Sequence, residues 1–304
     1  MKLLLEGILA RVQRDLKVII CHYLFNGNHP HMLIVARDSQ QCIEFYGQVQ
    51  KQLTDAIKRL LNLEHLSLFQ KNSTSVIPYG DMEGAMERIA YLYANPAAAN
   101  LVDSIEHYPG VSTWEAFKQA PHTLNAQYEK QCMWIRQPMI PKLPSRSLTS
   151  QQDKHFSQRL LQSAKKRHPL LIQPNEWMKV FGVAEDEVQS INDAIIERLG
   201  EKEAQARSKR LEKGWKVKGP SRLAREALSL DYRPQKQSRR IYVYAADKNI
   251  RIAMIEAHKD FSNQCDECYL RWKQGDYTVD WPPGAFLPAM PPRANYFCEQ
   301  YDAL

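Results

Sequence analysis

Two apolar runs, "LKVIICHYLF" (residues 16–25) and "HMLIVA" (31–36), flank Asn26-Gly27, the dipeptide that most favours a two-residue hairpin turn. The chain is therefore committed early to an antiparallel strand pair. Helical patterns surround it. In "MKLLLEGILARVQRDL" the residues Leu3, Leu4, Ile8, Val12 and Leu16 form one stripe. In "SQQCIEFYGQVQKQLTDAIKRLLN" (39–62), apolar residues at 43, 46, 49, 53, 57, 60 and 61 form another. "STSVIPYGD" (73–81) reads as a short extended piece, and "MEGAMERIAYLYANP" (82–96) as a helix stopped by Pro96. "EHYPGVSTW" (106–114) reads as a loop. Strand, strand, helix, strand and helix within about 100 residues imply an α+β fold with an antiparallel sheet.

A length of 304 residues accommodates two modest domains. We read residues 1–120 as the α+β unit and 121–148 as a linker, on account of the Pro-rich "IRQPMIPKLPSRS" (135–147). Residues 149–304 read as a mainly helical, basic region. Its helices are "SQQDKHFSQRLLQSAKKR", "AEDEVQSINDAIIERLGEKEAQARSKRLEK" and a last one over about 246–273. The basic stretch up to about residue 240 reads as only partly ordered. Charge follows this division. Residues 1–120 carry 11 Lys and Arg against 12 Asp and Glu, whereas residues 205–251 carry 14 against 4. Such a local excess suits a polyanion, most simply nucleic acid, and Lys209, Arg210, Lys213, Lys216 and Lys218 are its candidate phosphate contacts. Trp215, Tyr232, Tyr242 and Tyr244 lie among these charges and suit stacking on single-stranded bases.

Other classes are disfavoured. No apolar run reaches the roughly 18 residues of a membrane span. Glu6 interrupts the opening apolar stretch and no small-residue cleavage site follows it, so a cytoplasmic location is expected. Cys265 and Cys268 form a lone C-x-x-C without the second pair that a zinc site would want.

The chemistry-bearing residues are few. His29 and His31 stand two apart at the mouth of the returning strand, so both point to one face, where two neutral imidazoles can share a metal ion. Tyr91 and Asn95 stand four apart and share a helix face, with Tyr93 a rival tyrosine and His22 a neighbouring imidazole on the preceding strand.

These phrases resemble the HUH single-tyrosine transposases of small insertion sequences, including the REP-associated tyrosine transposases. The match rests on N-H-x-H (Asn28, His29, His31), on Y-x-x-x-N-P (Tyr91, Asn95, Pro96) and on "LVDSIEHYPGVSTW". It covers roughly residues 1–116, and the longer C-terminal half is similar only to a divergent branch. The resemblance implies a ferredoxin-like, RRM-like palm and a strand transferase acting on single-stranded or hairpin DNA, compatible with a homodimer. It makes Tyr91 the nucleophile, left carrying a 5′-phosphate, and His29, His31 and Asn95 the ligands of a divalent ion, Mg2+ or Mn2+. Three departures stand out, one being that "SLFQKNSTSVIP" stands where many relatives have a tryptophan-glycine-arginine phrase, so that one phosphate-binding arginine is missing. The chain opens on a helix where relatives have an initial strand, whose loss would expose ladder groups in the sheet. Pro30 sits between the histidines, a residue awkward in a central strand. The competing reading is a non-catalytic nucleic-acid-binding protein that keeps the fold and the basic tail.

Overall fold

The structure is a computed structural model that describes residues 1–27, 29–69, 76–135, 149–226 and 241–288. Asn28, Tyr232, the Pro-rich stretch 136–148 and the chain from 289 onward lie outside the described residues. The elements run in the order α1 (Lys2–Leu16), β1 (Ile19–Phe25), β2 (Pro30–Val35), α2 (Ser39–Leu60), α3 (Met82–Ala98), β3 (Val111–Ser112), α4 (Trp114–Gln119), β4 (Tyr128–Ile135), α5 (Ser150–Ala164), β5 (Lys165–Ile172), α6 (Val188–Glu212), α7 (Pro220–Ala224) and α8 (Lys248–Lys273).

The fold is α+β. Five strands form one sheet in the order β2-β1-β5-β4, with β3 also paired to β1. The hairpin forms as its turn dictates, Ile19 opposite Val35 and Phe25 opposite Pro30. β2 is an edge strand and Pro30 its first residue, a place where a missing N–H costs little. The far side of β1 is shared. β3 pairs there with Leu24 and Phe25, and β5 joins at Ile20 through Ile172. Ladder groups of β1 are thus met by strands that come later in the chain. The Ile20–Ile172 pair is parallel, so the sheet is mixed rather than purely antiparallel.

The reading of 121–148 as a linker is corrected by β4, which pairs with β5 from Tyr128–Ile172 to Ile135–Lys165. "YEKQCMWI" is a strand sequence masked by the prolines that follow it. β5 likewise replaces the end of a predicted helix, because Pro169 and its β-forming neighbours break the helical pattern at Lys165. Within 106–114, read as loop, Ile105–His107 forms a 3-10 turn and Val111–Ser112 a strand. Helix α3 also runs past Pro96 to Ala98. In its last turn a proline removes one hydrogen bond without ending the coil.

Helices cover both faces. Leu5, Ile8, Leu9 and Val12 of α1 and Phe45, Val49, Leu53 and Ile57 of α2 pack on one, against Ile20, Tyr23, Leu170 and Ile172. The carboxamide of Gln13 bonds Leu171 as a neighbouring strand would, Nε2 donating to its carbonyl at 2.7 Å and Oε1 accepting from its N–H at 2.9 Å. On the other face α3 packs against β1, with Met86, Ile89, Leu92 and Tyr93 buried, and α6 lies over α3 through Val188, Ile191, Ile195 and Leu199. Residues beyond 149 therefore complete the core of the first 120. A bulge at Cys21–His22 turns both of those residues toward α3.

Polar contacts fix α6 on α3. Arg198 forks onto Glu83 at 2.7 and 3.0 Å, and Lys202 reaches Glu87. Arg210 is buried, and its guanidinium donates to the Ala97 carbonyl, the Asn100 side chain and the Asp103 carboxylate, the last at 2.6 Å. Arg210 is therefore withdrawn from the candidate DNA contacts: it closes the C-terminal end of α3, adding a charged donor to the Ala97 carbonyl that already accepts from the Asn100 N–H. Lys218 is half-buried and paired with Glu226, while Lys209, Lys213 and Lys216 are exposed.

Truncating Arg210 to Ala should lower stability to urea by about 2 kcal/mol, because three acceptors lose a charged donor. Lys209→Ala, one residue away on the solvent side, should stay within about 0.5 kcal/mol. Equal effects of the two changes would contradict this assignment.

Candidate active site

The site forms where the mouth of the β1–β2 hairpin meets the last turns of α3. His31 pairs across the sheet with Leu24, and Leu33, two residues on, is buried under α3, so the 29-31-33 side of β2 faces that helix. Helix α3 starts on Asp81, whose carboxylate accepts from the Gly84 N–H at 2.6 Å. Its rotation is set by Tyr93. That side chain is fully buried, its hydroxyl 2.8 Å from His22 Nδ1 and 2.9 Å from Thr113 Oγ1, its ring stacked on Phe117. Burial pushes its phenol far up, and no substrate reaches it. Tyr93 is thereby excluded as the nucleophile, and His22 belongs to its buried network rather than to the hairpin mouth. Tyr91 projects elsewhere and is 42% exposed.

The four residues singled out in the sequence come together. The His29 and His31 rings lie 4.7 Å apart at 80°. The Tyr91 ring stands edge-on to His31 at 6.1 Å, and Asn95 Nδ2 is 3.0 Å from His31 Nε2. Arg88, one turn before Tyr91, was not singled out in the sequence. Its guanidinium carbon is 5.2 Å from the Tyr91 ring centre and 3.8 Å from that of Tyr244. The only sequence signal for it is its i,i+3 spacing from Tyr91, which any surface cation on α3 could share.

Both imidazoles are held neutral. Burial lowers His31 to about 4, with His29 and the Arg88 charge adding to the effect. Partial desolvation lowers His29 as well. Neutral imidazole is the ligating form, so protons do not compete for these nitrogens near pH 7.

The amide pair beside them bears on how well a cation fits. Asn26 Nδ2 donates to Asn95 Oδ1 at 2.7 Å, which turns the Asn95 NH2 toward His31. Asn26 Oδ1 is then buried with no partner among the described residues. Rotating both amides by 180° keeps the bond between them, now from Asn95 Nδ2 to Asn26 Oδ1, turns Asn95 Oδ1 toward His31 Nε2 and leaves the Asn26 NH2 in the unpartnered buried place. The result is a face of two neutral imidazoles and a carbonyl oxygen, a donor set that suits Mn2+ and, with water and phosphate completing the shell, Mg2+. The chemistry of the set fits the ion. Among the described residues no group of three or more His, Cys, Asp or Glu is placed to hold a metal ion.

No protein-family model matches the chain, and neither a curated protein nor a solved structure matches it. No described helix is long and apolar enough to cross a membrane.

A pH dependence follows from the lowered imidazoles. His31 titrates near 4 and the buried His22 near 3 in the folded chain, against about 6.5 when unfolded. Between those values the unfolded chain takes up protons that the folded chain refuses, so stability falls as pH drops from about 6.5 toward 4. Denaturation midpoints measured across that range should decline, and His31→Gln should make the decline shallower. An unchanged decline in His31→Gln would show that His31 is not held neutral.

Proposed function

We propose that the chain is a metal-dependent DNA strand transferase of the single-tyrosine kind, cutting and rejoining single-stranded DNA through Tyr91. The observation that carries this reading is the convergence of His29, His31, Asn95 and an exposed Tyr91 from three separate stretches of sequence. A core tyrosine is usually buried with its hydroxyl satisfied, as Tyr93 is, and two half-desolvated histidines rarely face an exposed phenol without a chemical use.

The step is a transesterification. Tyr91 Oη attacks a backbone phosphorus, the Oη–P bond forms and the P–O3′ bond breaks. The phenol proton ends on the released 3′ oxygen, so one strand leaves with a 3′-hydroxyl and the other stays on Tyr91 by its 5′-phosphate. Attack by another 3′-hydroxyl reverses the step and rejoins DNA. The phenol must lose its proton as Oη bonds to phosphorus, which adds to the barrier. Bound through His29, His31 and Asn95, a divalent ion supplies the withdrawal of charge from the phosphate that offsets this cost. Exposed Lys209, Lys213 and Lys216 near the end of α6 supply affinity without base choice.

A second reading has an observation of its own. With the amides as they stand, Asn95 covers His31 Nε2 with an NH2, which favours a non-catalytic nucleic-acid-binding protein.

Adduct formation separates the two. Incubated with single-stranded oligonucleotides and Mn2+, the chain should give a covalent product whose nucleotide-bearing peptide spans "IAYLYANP" and is modified at Tyr91. Tyr91→Phe should abolish the adduct while fold and DNA binding persist, and His29→Ala or His31→Ala should reduce it at least a hundredfold. An adduct on another residue moves the nucleophile, and none with any substrate favours the binding protein.

The salt dependence of oligonucleotide affinity tests the basic region. Changing Lys209, Lys213 and Lys216 together to Gln should reduce the slope of log affinity against log salt by up to about 2, at roughly 0.7 per phosphate contact. An unchanged slope would mean that these lysines touch no DNA.

A further inference from the structure

Every carboxylate near Arg88 on α3 is already engaged. Glu83 is held by the fork of Arg198 and Glu87 by Lys202, both from α6. Among the described residues no carboxylate pairs with Arg88. Its guanidinium carbon instead lies 3.8 Å over the ring centre of Tyr244 and 5.2 Å from that of Tyr91. Stacking uses the face of the guanidinium and leaves its in-plane N–H groups free to donate. A half-buried, stacked cation with a free donor fork beside an exposed phenol and two imidazoles is built to take an anion from solution.

The stacking partner is anchored with care. Tyr244 N–H donates to the Pro78 carbonyl at 3.0 Å and the Tyr244 carbonyl accepts from Gly80 N–H at 2.8 Å, a parallel bridge between Tyr79 and Tyr244. Asp81, the cap of α3, also accepts from the N–H groups of Ala246 and Asp247. Two glycines make room for this approach. A Cβ on Gly84 would lie 3.0 Å from the Tyr244 carbonyl oxygen, and one on Gly80 would lie 2.6 Å from Met254 Sδ and 2.8 Å from Ile250 Cγ2. Residues 150 positions downstream of Arg88 are thus clamped onto the start of its helix.

We propose that Arg88, held by Tyr244, binds one backbone phosphate of single-stranded DNA next to Tyr91, and that Tyr244 is its positioning residue. The inference deepens the proposed function and rests on it for the identity of the anion. It gives the clamp a purpose: the segment 241–247 orients the group that seats the phosphate in front of Tyr91, while the exposed lysines at and beyond the end of α6 hold the strand elsewhere.

Binding is tested on the full chain with a fluorescent single-stranded oligonucleotide and no divalent ion, so that the readout is independent of cleavage. Arg88→Gln should lower the salt slope by about 0.7, the loss of one phosphate contact. Arg88→Lys should restore the slope, because the charge returns. Arg198→Gln, which removes an equal charge from an ion pair, should leave the slope near that of the wild type. Tyr244→Ala should weaken binding several-fold and Tyr244→Phe should not, since the stack needs only the ring. An Arg88→Gln slope equal to the wild type overturns the inference. So does a Tyr244→Ala chain that binds as the wild type does. Adduct formation on Tyr91 is measured alongside. If the wild type forms the adduct and Arg88→Gln forms it equally well with an unchanged slope, the inference falls and the transferase reading stands. If Arg88→Gln loses the contact while no chain ever forms an adduct, the phosphate site stands and the transferase reading falls.

Discussion

The buried contact of Tyr93 with His22 and Thr113 governs the rest of the molecule. It ties α3 to the middle of β1 and to the residue that follows β3, three segments that sequence places far apart. An α-helix advances 100° per residue, so fixing Tyr93 inward places residues two positions away on either side about 200° around the helix. Tyr91 and Asn95 are those residues, and they land together on the flank that meets the hairpin mouth. Moving the inward position by one residue would carry both away from His29 and His31. The bulge at Cys21–His22 serves the same end, since without it His22 would face α1 and Tyr93 would lose its imidazole partner.

Much of this was legible in the sequence because it is local. Asn26-Gly27 fixes the hairpin, the period-2 rule puts His29 and His31 on one side, and the i,i+4 rule puts Tyr91 with Asn95. The convergence of those pairs was expected only through a family resemblance, since nothing in either phrase says that the two elements touch. What escaped was nonlocal. Strand β5 meets β1 across about 150 residues, a closure that no short window of sequence reveals. Pro169 within β5 and the prolines that follow β4 in the sequence read as breakers, which hid both strands. Arg210 looked like one cation among many. Only the fold shows that it points inward at the carbonyls ending α3, whereas Lys209 beside it points to solvent.

Charge is arranged with the same economy. The carboxylates of α3 are neutralised by α6, and burial and neighbouring positive charge hold the imidazoles neutral. Arg88 keeps its charge without a carboxylate. The surroundings of Tyr91 are therefore a guanidinium and neutral imidazoles, the carboxylates of α3 being paired with α6. This distribution differs from that of an ordinary surface helix, where cations and carboxylates of one helix pair with each other at i,i+4 for a few tenths of a kcal/mol. Here the pairs run between helices, and the unpaired member is the one nearest the phenol.

The division of the chain at residue 120 then has a physical consequence for the site. Residues 1–120 contain His29, His31, Tyr91 and Asn95 and the Tyr93 contact that sets the rotation of α3, but not all that holds these elements in place. The edge of β1 at Ile20 needs Ile172, the apolar face of α3 needs Ile191, Ile195 and Leu199, and the start of α3 needs the N–H groups of Ala246 and Asp247 as partners for Asp81. Each is a buried apolar surface or a polar group whose exposure costs on the order of 1–3 kcal/mol, and a domain of this size has only about 5–15 kcal/mol in total. The hairpin and α3 are therefore one folding unit with the described residues of β5, α6 and the segment before α8. Lys209 on α6 and the helix α3 that carries Tyr91 thus belong to one packed body.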